Sequence, residues 1–173
     1  MKKSLALALT VFIALTGCGK SLQKDVVGKW SYEVSFPMED QDATGQINAK
    51  CKSEFFANKS ITHDCDLKVT MEIKTDKTKV DISGKLRATG EWSVNDKTLL
   101  DKMTDGKVEL SEVKVNGDLV ADKALIDEMS QEIKGAFLKG ETTAYVTRSF
   151  DGKTWVFDQE IDNKKVTITA TRN

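Results

Sequence analysis

"QINAKCKSEFFANKSITHDCDLKV", residues 46–69, reads as two strands joined by a short turn. In its first half Ile47, Ala49, Cys51 and Phe55 fall on one side, with Asn48, Lys50, Lys52 and Glu54 on the other. In its second half Leu67 and Val69 begin an alternation that continues through Met71 and Ile73. A period of two belongs to strands, and one apolar face with one wet face belongs to an antiparallel sheet. The cysteines test the register. If Cys51 faces Cys65 across a hairpin, Ala49 faces Leu67, Ile47 faces Val69 and Phe55 faces Ile61, all inward. A one-residue slip would turn a whole apolar set into water. The turn then falls on Ala57-Asn58-Lys59, where Asn58 suits a positive φ.

The pattern extends in both directions. In "KWSYEVSF" Trp30, Tyr32, Val34 and Phe36 share a face, and from Val80 to Val94 Ile82, Leu86, Ala88 and Trp92 do so. Gly84 and Gly90 lie in that same inward phase, where a barrel wall must bend. A two-residue turn at Asp76-Lys77 would set Ile73 against Val80, Met71 against Ile82 and Leu67 against Leu86. Asp151-Gly152 is a hairpin signal that would pair Val146 with Phe157, and a turn at Asn163-Lys164 would bring Ile161 to Val166. A strand at 107–115, bulged near Ser111-Glu112, precedes a helix at about 122–139. Asp122 caps its start, Gly140 ends it, and Leu125, Met129, Ile133, Ala136 and Phe137 form its apolar stripe. That stripe is expected to pack on the sheet; the sharper reading is a lid over a cavity. Strands at 28–37, 44–56, 61–74, 79–95, 107–115, 142–150, 153–161 and 165–172 suffice for a small barrel. The expected class is mainly β: an antiparallel up-and-down, eight-stranded barrel or half-barrel with one inserted helix, a single domain over 26–173.

The chain opens with Lys2, Lys3 and an apolar run from Leu5 to Leu15. About a dozen residues span ~18 Å as a helix, short of a ~30 Å hydrocarbon core, and the pattern is that of a secretory signal. Leu15-Thr16-Gly17-Cys18 resembles the lipobox of bacterial lipoproteins. The resemblance implies a diacylglyceryl thioether on Cys18, removal of residues 1–17, a further acyl chain on the new amine, and a short tether over 18–25. Two or more chains hold a protein stably on a membrane where one does not. In similar Gram-negative lipoproteins an Asp after the cysteine favours the inner membrane, so Gly19 points to the outer membrane, facing the periplasm.

Without residues 1–17 the chain has 156 residues, with 24 basic and 27 acidic side chains. That balance argues against a nucleic-acid partner. Cys51 and Cys65 remain, and an isolated pair in an oxidising compartment is expected to form a disulfide; a metal site would want more ligands. The single histidine, His63, read as a loop residue, removes most acid–base and metal schemes, and no serine sits in a nucleophile elbow. Acidic pairs such as Glu39-Asp40 and Asp64/Asp66 read as solvated loop charges, and no phosphate loop is present. The expectation is a non-enzymatic protein with no cofactor and no metal.

Gly28-Lys29-Trp30 at the head of the first strand is similar to the Gly-x-Trp signature of lipocalins, whose Trp closes the base of the barrel. The resemblance implies that Arg172, late in the chain, packs over that indole. Lipocalins place their helix after the eighth strand, whereas here it precedes the sixth. Two functions fit such a domain. The first is a module that holds a small apolar or amphipathic ligand against Trp30, Tyr32, Phe36, Met71, Trp92, Trp155 and Phe157, with Ala49, Gly84, Ala88 and Gly90 leaving room. The second is a filled barrel that contacts another envelope protein through its helix or through loops at 37–44 and 95–106. An apolar void above roughly 300 Å³ would favour the first.

Overall fold

The computed structural model describes residues 22–39, 41–138, 142–161 and 164–173. Cys18 and the segment before it, Gly140 and Asn163 lie outside these residues. The elements are α1 (Leu22–Asp25), β1 (Gly28–Glu39), β2 (Ala43–Phe55), β3 (Ser60–Ile73), β4 (Lys79–Asn95) and β5 (Thr98–Val115). They continue with β6 (Asp118–Leu119), α2 (Lys123–Phe137), β7 (Thr142–Phe150), β8 (Thr154–Ile161) and β9 (Lys164–Arg172). β6 only extends the tip of β5 by two pairs. The other eight strands run β1-β2-β3-β4-β5-β7-β8-β9 and back to β1, all antiparallel, which closes a lipocalin-like barrel. Two of its seams are short. β1 and β9 pair only over Trp30–Tyr32 with Ala170–Arg172, and β5 and β7 only over Thr98–Lys102 with Thr142–Val146.

Cys51 is opposite Cys65, disulfide-bonded with Cα atoms 4.1 Å apart, and the whole β2–β3 ladder follows the expected register. Its turn keeps the expected place, but Lys59 (φ 73°) takes the left-handed conformation, while Asn58 accepts from Ser60 N with its side chain.

Three other hairpins differ from expectation. Met71 pairs with Val80 and Leu67 with Gly84, and Ile161 pairs with Lys164; both registers are two residues from those expected. A shift of two keeps every side chain on its face, so alternation cannot detect it. At Asp76 the carboxylate accepts from Thr78 N and Lys77 takes φ 62°, which makes the turn longer than two residues. In β7–β8, Asp151 accepts from Lys153 N and Thr154 N, which moves the turn to Gly152-Lys153. A bulge at Arg148 then sets Val146 against Asp158 rather than Phe157.

β5 begins at Thr98, not at 107, so most of the expected 95–106 loop is strand, as is His63 within β3. Its ladder with β4 breaks at Ser83/Gly84, opposite the expected bulge at Ser111, and again at Thr89/Gly90. A Cβ on Gly90 would stand 2.2 Å from the Lys102 carbonyl oxygen, so only glycine admits the bend there.

Side chains fill one end of the barrel. Trp30, Phe55, Trp92, Trp155 and Phe157 pack with Ile61, Leu99 and Ile168. Their rings meet edge to face, Phe55 with Trp92 at 5.8 Å and 83°, Phe55 with Trp155 at 5.9 Å and 76°, the arrangement that ring quadrupoles favour. Arg172 closes this end from outside, its guanidinium over the Trp30 ring.

α2 begins as expected, with the Asp122 carboxylate accepting from Ala124 N and Leu125 N. It runs along β5 and rests Ile133 on the second core cluster, which includes Leu67, Leu86 and Val108. Leu125, expected in the packed stripe, is exposed, whereas Ser130 is buried, so the packed face is rotated from the expected one.

Candidate functional site

The other half of the interior is only partly filled. A cavity of about 160 Å³ lies between β1, β2, β3 and the far side of the barrel. Val34, Phe36, Ile47, Leu67 and Leu86 form much of its apolar wall, and Phe137 of α2 stands at its rim. The helix therefore packs on β5 and also contributes to the cavity. The volume is about half the 300 Å³ expected of a carrier. It is close to the ~150 Å³ apolar cavity that holds benzene or xenon. A larger depression of about 570 Å³ lies on the outer wall. There Lys50 pairs with Glu33 (2.9 Å) and Lys85 with Asp66 (3.1 Å), so much of its charge is matched across strands.

Tyr32, His63 and Tyr145 give the cavity a polar floor. Each arrives there by strand parity: Tyr32 follows Trp30 on β1, His63 lies between Ile61 and Cys65 on β3, and Tyr145 rises from β7 opposite Leu99. Behind them is a buried relay. Ser53 Oγ lies 2.7 Å from His63 Nδ1 and 3.3 Å from the Tyr32 hydroxyl. His63 Nε2 is 2.9 Å from Asp101 Oδ2, and the Tyr145 hydroxyl donates to the same oxygen at 3.1 Å. Ser53, His63 and Asp101 are 2%, 4% and 1% exposed. A carboxylate only accepts, so His63 donates from Nε2 and leaves Nδ1 to accept from Ser53. Among the described residues Asp101 Oδ1 has no hydrogen-bond partner.

Burial, reinforced by the negative charge of Asp101, raises the Tyr145 hydroxyl well above its ordinary pKa. Tyr32 borders the cavity with its ring and buries its hydroxyl. Burial pushes it up to about 12, with Asp101 adding to the rise.

The relay corrects the reading of His63 as a loop residue, for it brings serine, imidazole and carboxylate together. It does not assemble an acyl-transfer site. Ser53 sits mid-strand, paired with Trp30 on one side and His63 on the other. Its backbone is committed to the ladders rather than forming a turn that would aim N–H groups at an oxyanion.

Of the residues expected to line a ligand, Tyr32 and Phe36 reach the cavity. Trp30, Trp92, Trp155 and Phe157 belong to the packed end, and the methionine of the cavity wall is Met103 of β5 rather than Met71. Sequence reasoning passed over Ser53, Asp101 and Tyr145. The signal was parity: Ser53 is in phase with Cys51 and Phe55, and Asp101 with Leu99.

Among the described residues no helix is long and apolar enough to cross a membrane, and no group of three or more His, Cys, Asp or Glu is placed to hold a metal. Comparison with family models and with curated proteins finds no match to this chain.

Proposed function

We propose that this protein is a lipid-anchored binding module of the bacterial envelope, held at Cys18 in the outer membrane and facing the periplasm. Its barrel takes a small apolar or amphipathic ligand, and it is not an enzyme. One observation carries the binding reading: the interior is solid around Trp30 and hollow around Phe36, and the hollow part ends on polar side chains. A barrel that served only as a scaffold would gain stability from filling that space. The size limits the bound part to about one ring or the tip of an acyl chain. Native mass spectrometry after mild detergent extraction tests it. A co-purifying small molecule, lost on a cavity-filling Ala49→Leu substitution, supports the reading. Protein without such an adduct that also takes up no small apolar probe opposes it.

The alternative is an envelope interaction protein. Its support is the exposure of Leu119 (66%) and Leu125 (43%) around the start of α2. A partner protein whose crosslinking is lost on Leu119→Ser, with no small molecule bound, would favour it. The anchor is tested separately. Cys18→Ser should release the protein from membranes and abolish palmitate labelling; retention with the serine in place would refute the assignment.

A further inference from the structure

We infer that the ligand enters head first, and that its head is an uncharged hydrogen-bond donor of the alcohol or phenol kind; free carboxylates are rejected. The inference rests on the ligand-binding reading above and specifies the chemistry of that site. The cavity is apolar except at its floor, so the polar end of an amphipathic ligand finds its partners there, at Tyr145, His63 and Gln159, the last paired with Tyr145 across β7 and β8. Two of the donors on that floor, those of Tyr145 and His63, are already committed, and the remaining polar group, the Gln159 amide, is uncharged. The Tyr145 hydroxyl gives its proton to Asp101, and His63 gives its Nε2 proton to the same carboxylate. What the Tyr145 hydroxyl has left to offer a ligand is the lone pairs of its oxygen, which ask for a donor.

Charge points the same way. Among the described residues lining the cavity there is no lysine or arginine. A buried carboxylate, that of Asp101, stands behind Tyr145 and His63 and is hydrogen-bonded to both, with Oδ1 unpartnered among the described residues. A carboxylate head at this floor would lie near a second negative charge, away from water and without a cation to offset either. A hydroxyl meets no such penalty and can donate to the free lone pairs of the Tyr145 oxygen. A floor built for fatty acids or other organic anions would require a basic side chain here, and the sequence places none in phase.

Three probes of the cavity's size decide the matter: benzene, benzyl alcohol and benzoate. They are titrated at neutral pH while the methyl signals of Leu67 and Leu86 are followed by NMR. Benzyl alcohol should bind on the order of tenfold more tightly than benzoate, and several-fold more tightly than benzene. Tyr145→Phe should lower benzyl alcohol toward the affinity of benzene and leave benzene unchanged. Benzoate binding as tightly as benzyl alcohol would overturn the head-group assignment while leaving a ligand-binding barrel in place. Absence of a response to all three would overturn the binding reading and this assignment together. The wild-type comparison decides even if the variant does not fold.

Discussion

The guanidinium carbon of Arg172 stands 4.7 Å from the centroid of the Trp30 ring, and the two residues are directly paired where β9 meets β1. Arg172 also donates to three backbone carbonyls: Gly152 (2.8 Å), Val27 (3.0 Å) and Asp25. Trp30 Nε1 donates to Val26 at 2.8 Å. One side chain thus joins the incoming chain, the β7–β8 turn and the last strand over the barrel's closed end. Gly28 is part of the joint: it has φ +133°, and a Cβ there would come 2.8 Å from Arg172 Nη1.

Arg172→Ala should therefore cost about 2 kcal/mol, from a cation–π contact of ~1 kcal/mol and hydrogen bonds of ~1 kcal/mol each, partly replaced by water. Gly28→Ala should also destabilise, through the left-handed backbone. Urea denaturation followed by tryptophan fluorescence measures both. An unchanged midpoint for Arg172→Ala would mean that the packed aromatic end holds without its closing cation.

The Cys51–Cys65 bridge links directly opposed residues 14 apart in sequence, inside the barrel and on the cavity wall. In the chain-entropy model a loop of this length contributes ~3 kcal/mol by restricting the unfolded chain. The Cys51→Ala/Cys65→Ala variant should lose roughly that amount in chemical denaturation, and membrane attachment should be unaffected. Equal stability of the two proteins would remove the bridge from the account of the fold.

Alkaline pH tests the cavity floor, because the chain has two tyrosines, Tyr32 and Tyr145, and both hydroxyls are buried. Their pKa values are raised in the folded state, so their contribution to stability is complete below the ordinary value of 10.0 and is lost as pH rises above it. For Tyr32 the loss runs from there to about 12. Tyrosinate absorbance at 295 nm should appear together with loss of the β-sheet circular dichroism signal. Tyrosinate forming near its ordinary pKa in a protein that keeps its sheet signal would show the hydroxyls to be accessible.

Much of the architecture was legible because alternation reports parity. Trp30, Cys51, Cys65, Leu86, Trp92 and Phe157 all point inward as their phase requires. Alternation does not report register, which is why the one hairpin tied by a disulfide was placed correctly while the Asp76 and Ile161 hairpins moved by two residues. The start of β5 was hidden by Asp101, a charged side chain in a core position that breaks the apolar rhythm of "TLLDKM". The same residue hid the cavity floor. The relay uses strands far apart in sequence, Ser53 on β2, Asp101 on β5 and Tyr145 on β7, and only the closed barrel brings them together.

One half of this barrel is packed solid and the other holds the cavity, and xenon distinguishes the two. Under a few atmospheres of the gas, which enters apolar cavities of this size, methyl NMR shifts should be confined to Val34, Ile47, Leu67, Leu86 and Ile161 around the cavity. Leu99, Val113 and Ile168 in the packed regions should stay unmoved. Shifts spread evenly over both sets, or none in either, would contradict the division on which the proposed function rests.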